Sequence, residues 1–304
     1  MEQKILVTGA AGLLGSRLVP LLSRSVPECR IIVVARSEDY RATDSQVEIV
    51  RGDLRDKELW LSLPETITGV IHLAAFIPWQ VEQRHQAGVV SDNLLPMTHL
   101  VEYSQRWPNL RQVIYSSSVS VYSPSVDWLN ESSPTQPASL YGAAKLSGEA
   151  LLSSVNARDV RTVSLRFSSL YAGGQYQGTV LPIMVQRARQ RQDLLIFGDG
   201  TRTQDYLHCE DAAQAILLAY QQAASGVYNI GSGSATTMTE LAETISRVFS
   251  DGETRIVYQP ERADGDLGIK LDVSKARREL NYMPLMGLEE GLRKLKQEME
   301  DVSE

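Results

Sequence analysis

The sequence predicts an α/β protein: a doubly wound parallel sheet joined to a smaller, irregular C-terminal α/β portion. Three observations carry this. The apolar run Ile5-Leu6-Val7 is followed at once by Gly9, Gly12 and Gly15. The segment those glycines open places Leu14, Leu18, Leu21 and Leu22 at helical spacing. Short apolar runs then alternate with helical patterns through residue 170, which builds a parallel sheet with helices on both faces.

Strand, glycine turn and helix in this order suit a dinucleotide, which makes the sheet Rossmann-type. A pyrophosphate reaches backbone N–H groups only where no Cβ intervenes, and the helix presents its positive end to the phosphates. Gly9, Gly12, Leu13, Leu14 and Gly15 are therefore the candidate phosphate residues. The second strand, 30–35, lacks the terminal Asp or Glu that hydrogen-bonds the ribose 2′-hydroxyl of NAD. Ala35 stands there, and the guanidinium of Arg36 can bind a 2′-phosphate with charge-assisted hydrogen bonds. The expectation is NADP over NAD. The alternatives are Arg36 as an ordinary surface charge and Glu38 or Asp39 as the hydroxyl's partner.

The other elements follow in order. Residues 47–50 form a third strand, ending in Gly52-Asp53-Leu54, with a short helix over 56–63. A fourth strand over 69–75 ends, after Leu73, in the small residues Ala74 and Ala75, where backbone must pass close to a cofactor. His72 inside this run reads as a core histidine. A helix over 91–106 and a fifth strand from Gln112 lead to Ser116-Ser117-Ser118. A helix over 140–155 and a sixth strand over 161–167 complete the alternation. Beyond Tyr171 the pattern loosens: a helix over 179–189, strands over 194–197 and 203–208, a helix over 211–222 and a strand over 227–230. Thr237 and Glu240 form a capping box opening a helix to Phe249, and the tail holds a strand over 255–258 and helices from Ser274 and Leu288. Residues 1–170 read as the dinucleotide-binding domain and 171–304 as the substrate-binding domain, with 203–232 returning to the sheet.

Composition narrows the class. The chain has 304 residues, 43% hydrophobic and 22% charged, as in an ordinary globular protein. A net charge of −7, with no basic block, argues against nucleic-acid binding. No apolar run approaches the roughly 20 residues that span a bilayer, and the first strand begins too early for a signal peptide. Cys29 and Cys209 match no metal spacing and read as reduced thiols. A cytoplasmic protein without a metal is expected.

The chemistry concentrates in Ser118, Tyr141 and Lys145. Helical i,i+4 spacing sets Lys145 beside Tyr141. A phenol with an ordinary pKa of about 10 is a poor base at neutral pH. A neighbouring ammonium and a nicotinamide cation together can lower it by about 1–3 units, towards the range where acid–base catalysis is efficient. Ser118, on a strand end, can hold the substrate oxygen against the phenol.

With these residues in place, the chain resembles an extended short-chain dehydrogenase/reductase of the NAD-dependent epimerase/dehydratase family, which acts largely on nucleotide sugars. The resemblance covers nearly the whole length. Residues 7–15 resemble the family's cofactor loop, 52–54 its adenine contact, 71–75 its fourth-strand motif and 116–122 its serine motif. Tyr141 and Lys145 match the catalytic pair, and 165–171 resembles the segment leading from the nicotinamide into the substrate pocket. Residues 228–231 and the tail over 262–284 also fit, and His208 matches a motif histidine read as structural.

The departures lie at the substrate end. Ser169 stands where the family often has Asn, and Gln204 where it commonly has Arg. Arg202, two residues earlier on the same strand face, can replace that arginine or be a loop charge. Arg262 matches the other phosphate-binding arginine, in an Arg-Ala-Asp-Gly-Asp run one residue longer than usual. The resemblance implies a nucleoside-diphosphate sugar as substrate, a homodimer through the helices over 91–106 and 140–155 with Ala143, Ala144 and Leu151 near the seam, and an NAD(P)-dependent 4-epimerase or 4-ketoreductase. Ser118-Val119-Ser120 lacks the acids a 4,6-dehydratase needs. A reductase of a non-nucleotide alcohol or ketone and a non-catalytic dinucleotide sensor are the other readings.

Overall fold

The computed structural model describes residues 3–38, 40–42, 44–78, 80–125, 127–155, 159–175, 178–262 and 268–301. The first half runs β1 (Gln3–Thr8), α1 (Gly15–Ser25), β2 (Cys29–Ala35), β3 (Val47–Arg51), α2 (Lys57–Ser62), β4 (Gly69–His72), α3 (Gly88–Ser104), β5 (Gln112–Ser118), α4 (Leu140–Ser153) and β6 (Arg161–Phe167). The second half runs β7 (Ser169–Tyr171), α5 (Val180–Arg189), β8 (Leu194–Phe197), β9 (Thr203–Gln204), β10 (Tyr206–His208), α6 (Cys209–Gln221), β11 (Gly226–Ile230), β12 (Thr236–Thr237), α7 (Met238–Ser250), β13 (Ile256–Gln259), α8 (Ser274–Leu280) and α9 (Leu288–Asp301).

Seven strands form one parallel sheet in the order β11-β6-β5-β4-β1-β2-β3. Because side chains alternate across a strand, its apolar runs fill two cores. Ile5, Val7, Ile31 and Val33 pack on one face with Leu18 and Leu22 of α1 and Ile216 of α6. Leu6, Ile32, Val70 and Val113 pack on the other with Trp60 of α2, Met97 and Leu100 of α3 and Leu152 of α4. A third core, including Met184 of α5, Leu241 of α7 and Leu292 of α9, supports the C-terminal side.

Two departures from the expected elements shape the site. The run over 203–208 is two short strands broken at Asp205, since β9 pairs antiparallel with β12 while β10 pairs parallel with β7. The fully buried Asp205 carboxylate accepts hydrogen bonds from the backbone N–H groups of Ser232 (2.8 Å) and Gly233 (2.9 Å). The strand breaks where its side chain is used to fix another loop. The second departure is β7 itself, a three-residue strand that carries Ser169 from the end of the main sheet towards β10. The capping box forms as expected at Thr237 and Glu240.

Candidate active site

The C-terminal ends of β1, β2, β4, β5 and β6 open into a cavity of about 910 Å³, where a doubly wound sheet places its ligands. At one end the chain turns from β1 into α1. Gly9 has φ +75°, and a Cβ there would lie 2.6 Å from the Ala74 nitrogen; a Cβ on Gly15 would strike the Gly9 carbonyl. The hydroxyl of Thr8 bonds to His72 Nδ1 (2.9 Å) and accepts from the Ala74 N–H (3.3 Å), holding β1 and β4 level where the turn begins. His72 is a core residue: burial, seconded by the charge of Lys145, pushes its pKa down to about 3. Gly9, Gly12, Leu13, Leu14, Gly15, Leu73, Ala74 and Ala75 all line the cavity. A bare backbone cradle at a helix N-terminus, closed to any Cβ, fits the pyrophosphate of a dinucleotide.

The rim beyond β2 is charged. Arg36 is 76% exposed, with Nη1 3.9 Å from Asp53. Arg55 holds Asp53 with two nitrogens (3.0 and 2.8 Å) and reaches Asp92 on α3 with a third (3.1 Å). These bonds hold the Asp53 carboxyl below its ordinary pKa. Arg36, Asp53, Leu54 and Arg55 line this end; Asp39 lies outside the described residues. Sequence reasoning missed Arg55, although it directly follows the Gly52-Asp53-Leu54 motif. It also missed Asn93, which bonds both the N–H (3.1 Å) and the carbonyl (2.9 Å) of Phe76 and fixes the loop after β4 against the cavity.

Ser118, Tyr141 and Lys145 meet in the middle of the cavity. Ser139 caps α4, accepting from the Gly142 N–H at 3.0 Å, and a Cβ on Gly142 would strike the Ser120 carbonyl. The helix therefore sits hard against the serine segment. Lys145 is buried and donates to the Ser116 carbonyl at 2.6 Å, with its ammonium 5.7 Å from the Tyr141 ring centre. Burial pushes Lys145 down to about 7, and the charge of Glu149 opposes this. Burial raises the Tyr141 phenol, and only its hydrogen bond with Ser118 opposes the rise. The lowering that sequence reasoning expects counts a nicotinamide cation together with the ammonium. In the chain alone, desolvation sets the direction.

At the far end Ser169 and Gln204 are joined by a side-chain hydrogen bond, and both line the cavity beside the buried Tyr206. Arg202 and Arg262 are not among the lining residues. Arg202 lies just before β9 rather than within it and turns its guanidinium to the Met238 sulfur (3.8 Å). Arg262 stacks on Phe197 at 4.1 Å and donates to Gln259. The acidic run that follows it, 263–266, lies outside the described residues. Among the described residues no cluster of His, Cys, Asp and Glu could hold a metal, and no helix is long and apolar enough to cross a membrane.

The comparisons agree with this geometry. The model of the NAD dependent epimerase/dehydratase family matches residues 5–231. A putative UDP-glucose 4-epimerase of Methanocaldococcus jannaschii is 29% identical over 298 residues, 96% of each chain. The structure of UDP-glucose 4-epimerase from Thermotoga maritima with UDP-glucose has a TM-score of 0.86 at 28% identity, covering 99% of this chain and 100% of that one. MoeE5 in complex with UDP-glucose and NAD gives 0.83 at 27% identity, with coverage of 99% and 100%. This chain belongs to the NAD dependent epimerase/dehydratase family and is an enzyme of the extended short-chain dehydrogenase/reductase type.

Proposed function

We propose that this enzyme epimerises a nucleoside-diphosphate sugar at a ring carbinol, as a 4-epimerase. One observation carries the reading: a single cavity runs from the Gly9–Gly15 cradle, past Ser118, Tyr141 and Lys145, to Ser169 and Gln204. A dinucleotide and a second ligand therefore meet at the phenol. Bound NAD(P) supplies the hydride acceptor and donor. Tyr141 exchanges the proton of the sugar hydroxyl, Ser118 holds the same oxygen, and Lys145 offers positive charge beside the phenol. Residues 1–170 hold the cofactor, and the C-terminal part, apart from α6 and β11, holds the sugar nucleotide. Ser169 and Gln204 contact it within the cavity; Arg202 and Arg262 would have to turn from Met238 and Phe197 to supply the cations its diphosphate needs as water leaves.

The charged rim favours a second reading, a 4-ketoreductase that consumes NADPH. Arg36 and Arg55 both reach the corner where a 2′-phosphate would sit, and no acid ends β2. The assay that separates the readings is incubation with UDP-, dTDP-, GDP- and CDP-sugars and resolution of the products. Interconversion of 4-epimers without net cofactor consumption supports the first reading. Oxidation of NADPH by a 4-keto sugar supports the second. If every nucleotide sugar is returned unchanged, a non-nucleotide alcohol or ketone becomes the substrate class.

A homodimer is proposed through α3 and α4. Leu95 is exposed on α3, and Ala143 and Leu151 are half-buried on α4, whereas Ala144 is buried within the chain itself. Light scattering at micromolar concentration should give a dimer; a monomer would count against this interface.

A further inference from the structure

Below the phenol lies a buried charge pair to which sequence reasoning assigned nothing. Glu149 stands one turn beyond Lys145 on α4, so Tyr141, Lys145 and Glu149 follow one another at i, i+4 and i+8 on one helix face. Its side chain is 8% exposed, and the carboxylate accepts two parallel hydrogen bonds from Arg166 of β6, at 2.9 and 2.7 Å. The Ser117 hydroxyl donates to the same carboxylate at 2.5 Å. Ser117, Arg166 and Asn229 are register partners across β5, β6 and β11. Arg166 also donates to the Tyr122 hydroxyl (2.7 Å), which donates to Asn229 (2.9 Å). Asn229 in turn donates to the Leu129 carbonyl (2.9 Å).

The network holds the serine segment at both ends, through Ser117 and Tyr122, and fastens it to the helix that carries Tyr141 and Lys145. Its charges matter as well as its bonds. Around the Lys145 ammonium stand His72 from β4, Tyr115 from β5, Tyr141 and Glu149 from α4, and behind Glu149 the Arg166 guanidinium from β6. His72 and the two phenols are neutral at working pH. Glu149 is the one anion in this set, and its charge favours the protonated lysine.

We propose that Glu149, fixed by Arg166 and Ser117, is a positioning residue that supplies the buried negative charge facing the Lys145 ammonium. Without that charge, two cations would share a desolvated space and the lysine would shed its proton. Tyr141 would then lose the cation beside it. Glu149 is thus more than a brace, because its charge acts on the lysine. The proposal rests on reading Lys145 as the partner of a proton-moving Tyr141, but its test needs neither substrate nor cofactor.

The test is an NMR pH titration of lysine side chains in the isotope-labelled protein, with the Lys145 signal assigned by its loss in Lys145→Met. Parent Lys145 should titrate near neutral pH. In Glu149→Gln, which keeps the shape, it should titrate about one pH unit lower, a tenfold loss of proton affinity. In the double variant Glu149→Gln/Arg166→Met, which removes both buried charges, it should move back towards the parent. Glu149→Asp, which keeps the charge, should stay closer to the parent than Glu149→Gln. A lysine that titrates identically in parent and Glu149→Gln overturns the proposal, as does a double variant displaced further than the single one. Either result would leave the proposed reaction standing. Parent turnover in Tyr141→Phe would remove the reaction and leave the lysine titration intact.

Discussion

The two ends of the cavity are built by different means. At the cofactor end, backbone does the holding: Gly9 and Gly15 admit no Cβ, and the loop after β4 is pinned through its main chain by Thr8 and Asn93. At the chemical centre and the substrate end, side chains from distant segments do it, as in Glu149 with Arg166 and Gln204 with Ser169. A backbone cradle tolerates variation in the side chains around it, and a side-chain assembly can be retuned one residue at a time.

The sharpest way to break the side-chain end is Arg166→Met. It strands a carboxylate in a site that excludes water, and losing one partner of a buried pair costs about 3–5 kcal/mol. Urea unfolding should show a loss of this size, and Glu149→Gln/Arg166→Met should recover part of it. A loss below about 1 kcal/mol would mean that water reaches the pair.

At the backbone end, Gly9→Ala should leave the fold recognisable by circular dichroism and weaken NAD(H) and NADP(H) alike by about 100-fold, about 2.7 kcal/mol. The added methyl would strike the main chain of Leu73 and Ala74 at a positive φ, so the loop must move away from the phosphates. Parent-like affinity in this variant would show that the cradle is softer than its packing implies.

The contrast also bears on how much could be read from the sequence. The glycine end is written in short contiguous motifs: a strand with three closely spaced glycines, Gly52-Asp53-Leu54 and the residues after His72. Each motif is legible locally, and the sheet brings the three together. Tyr141 and Lys145 were legible for the same reason, being one helical turn apart. Glu149 sits at the next turn and could have been found by extending that spacing, but its partner Arg166 lies on another strand and is revealed only by the sheet's register. The expectation that Arg202 shares a strand face with Gln204 assumed a strand reaching back to residue 202, but β9 begins at Thr203. The expected single strand over 203–208 also missed that Asp205 would turn inward to fix the 232–233 backbone.

Two smaller effects sharpen the comparison. His72 carries the β1–β4 contact in a ring that stays neutral until about pH 3 when folded, against an ordinary value of 6.5. Between those values the unfolded chain binds the extra proton, so stability rises with pH and falls on acidification, by at most roughly 1.4 kcal/mol per pH unit. Unfolding at about pH 7 and pH 5 should show that slope in the parent and a flatter one in His72→Gln; equal slopes would assign the acid sensitivity elsewhere. Arg36→Ala should weaken NADP binding by about tenfold, about 1.4 kcal/mol, and leave NAD unchanged, because the side chain is 76% exposed and solvent screens it. Tighter binding of NAD than of NADP by the parent would remove the case for a 2′-phosphate site.

In the proposed reaction the phenol of Tyr141 moves the substrate's proton where the two ends meet. Its most direct test is the rate of nicotinamide reduction, read by absorbance, when the nucleotide sugar found active in the product assay is mixed with the cofactor-loaded protein. The account predicts a prompt signal in the parent and a rate lower by about 10²–10⁴-fold in Tyr141→Phe, with cofactor affinity unchanged. Reduction at the parent rate in Tyr141→Phe would contradict it.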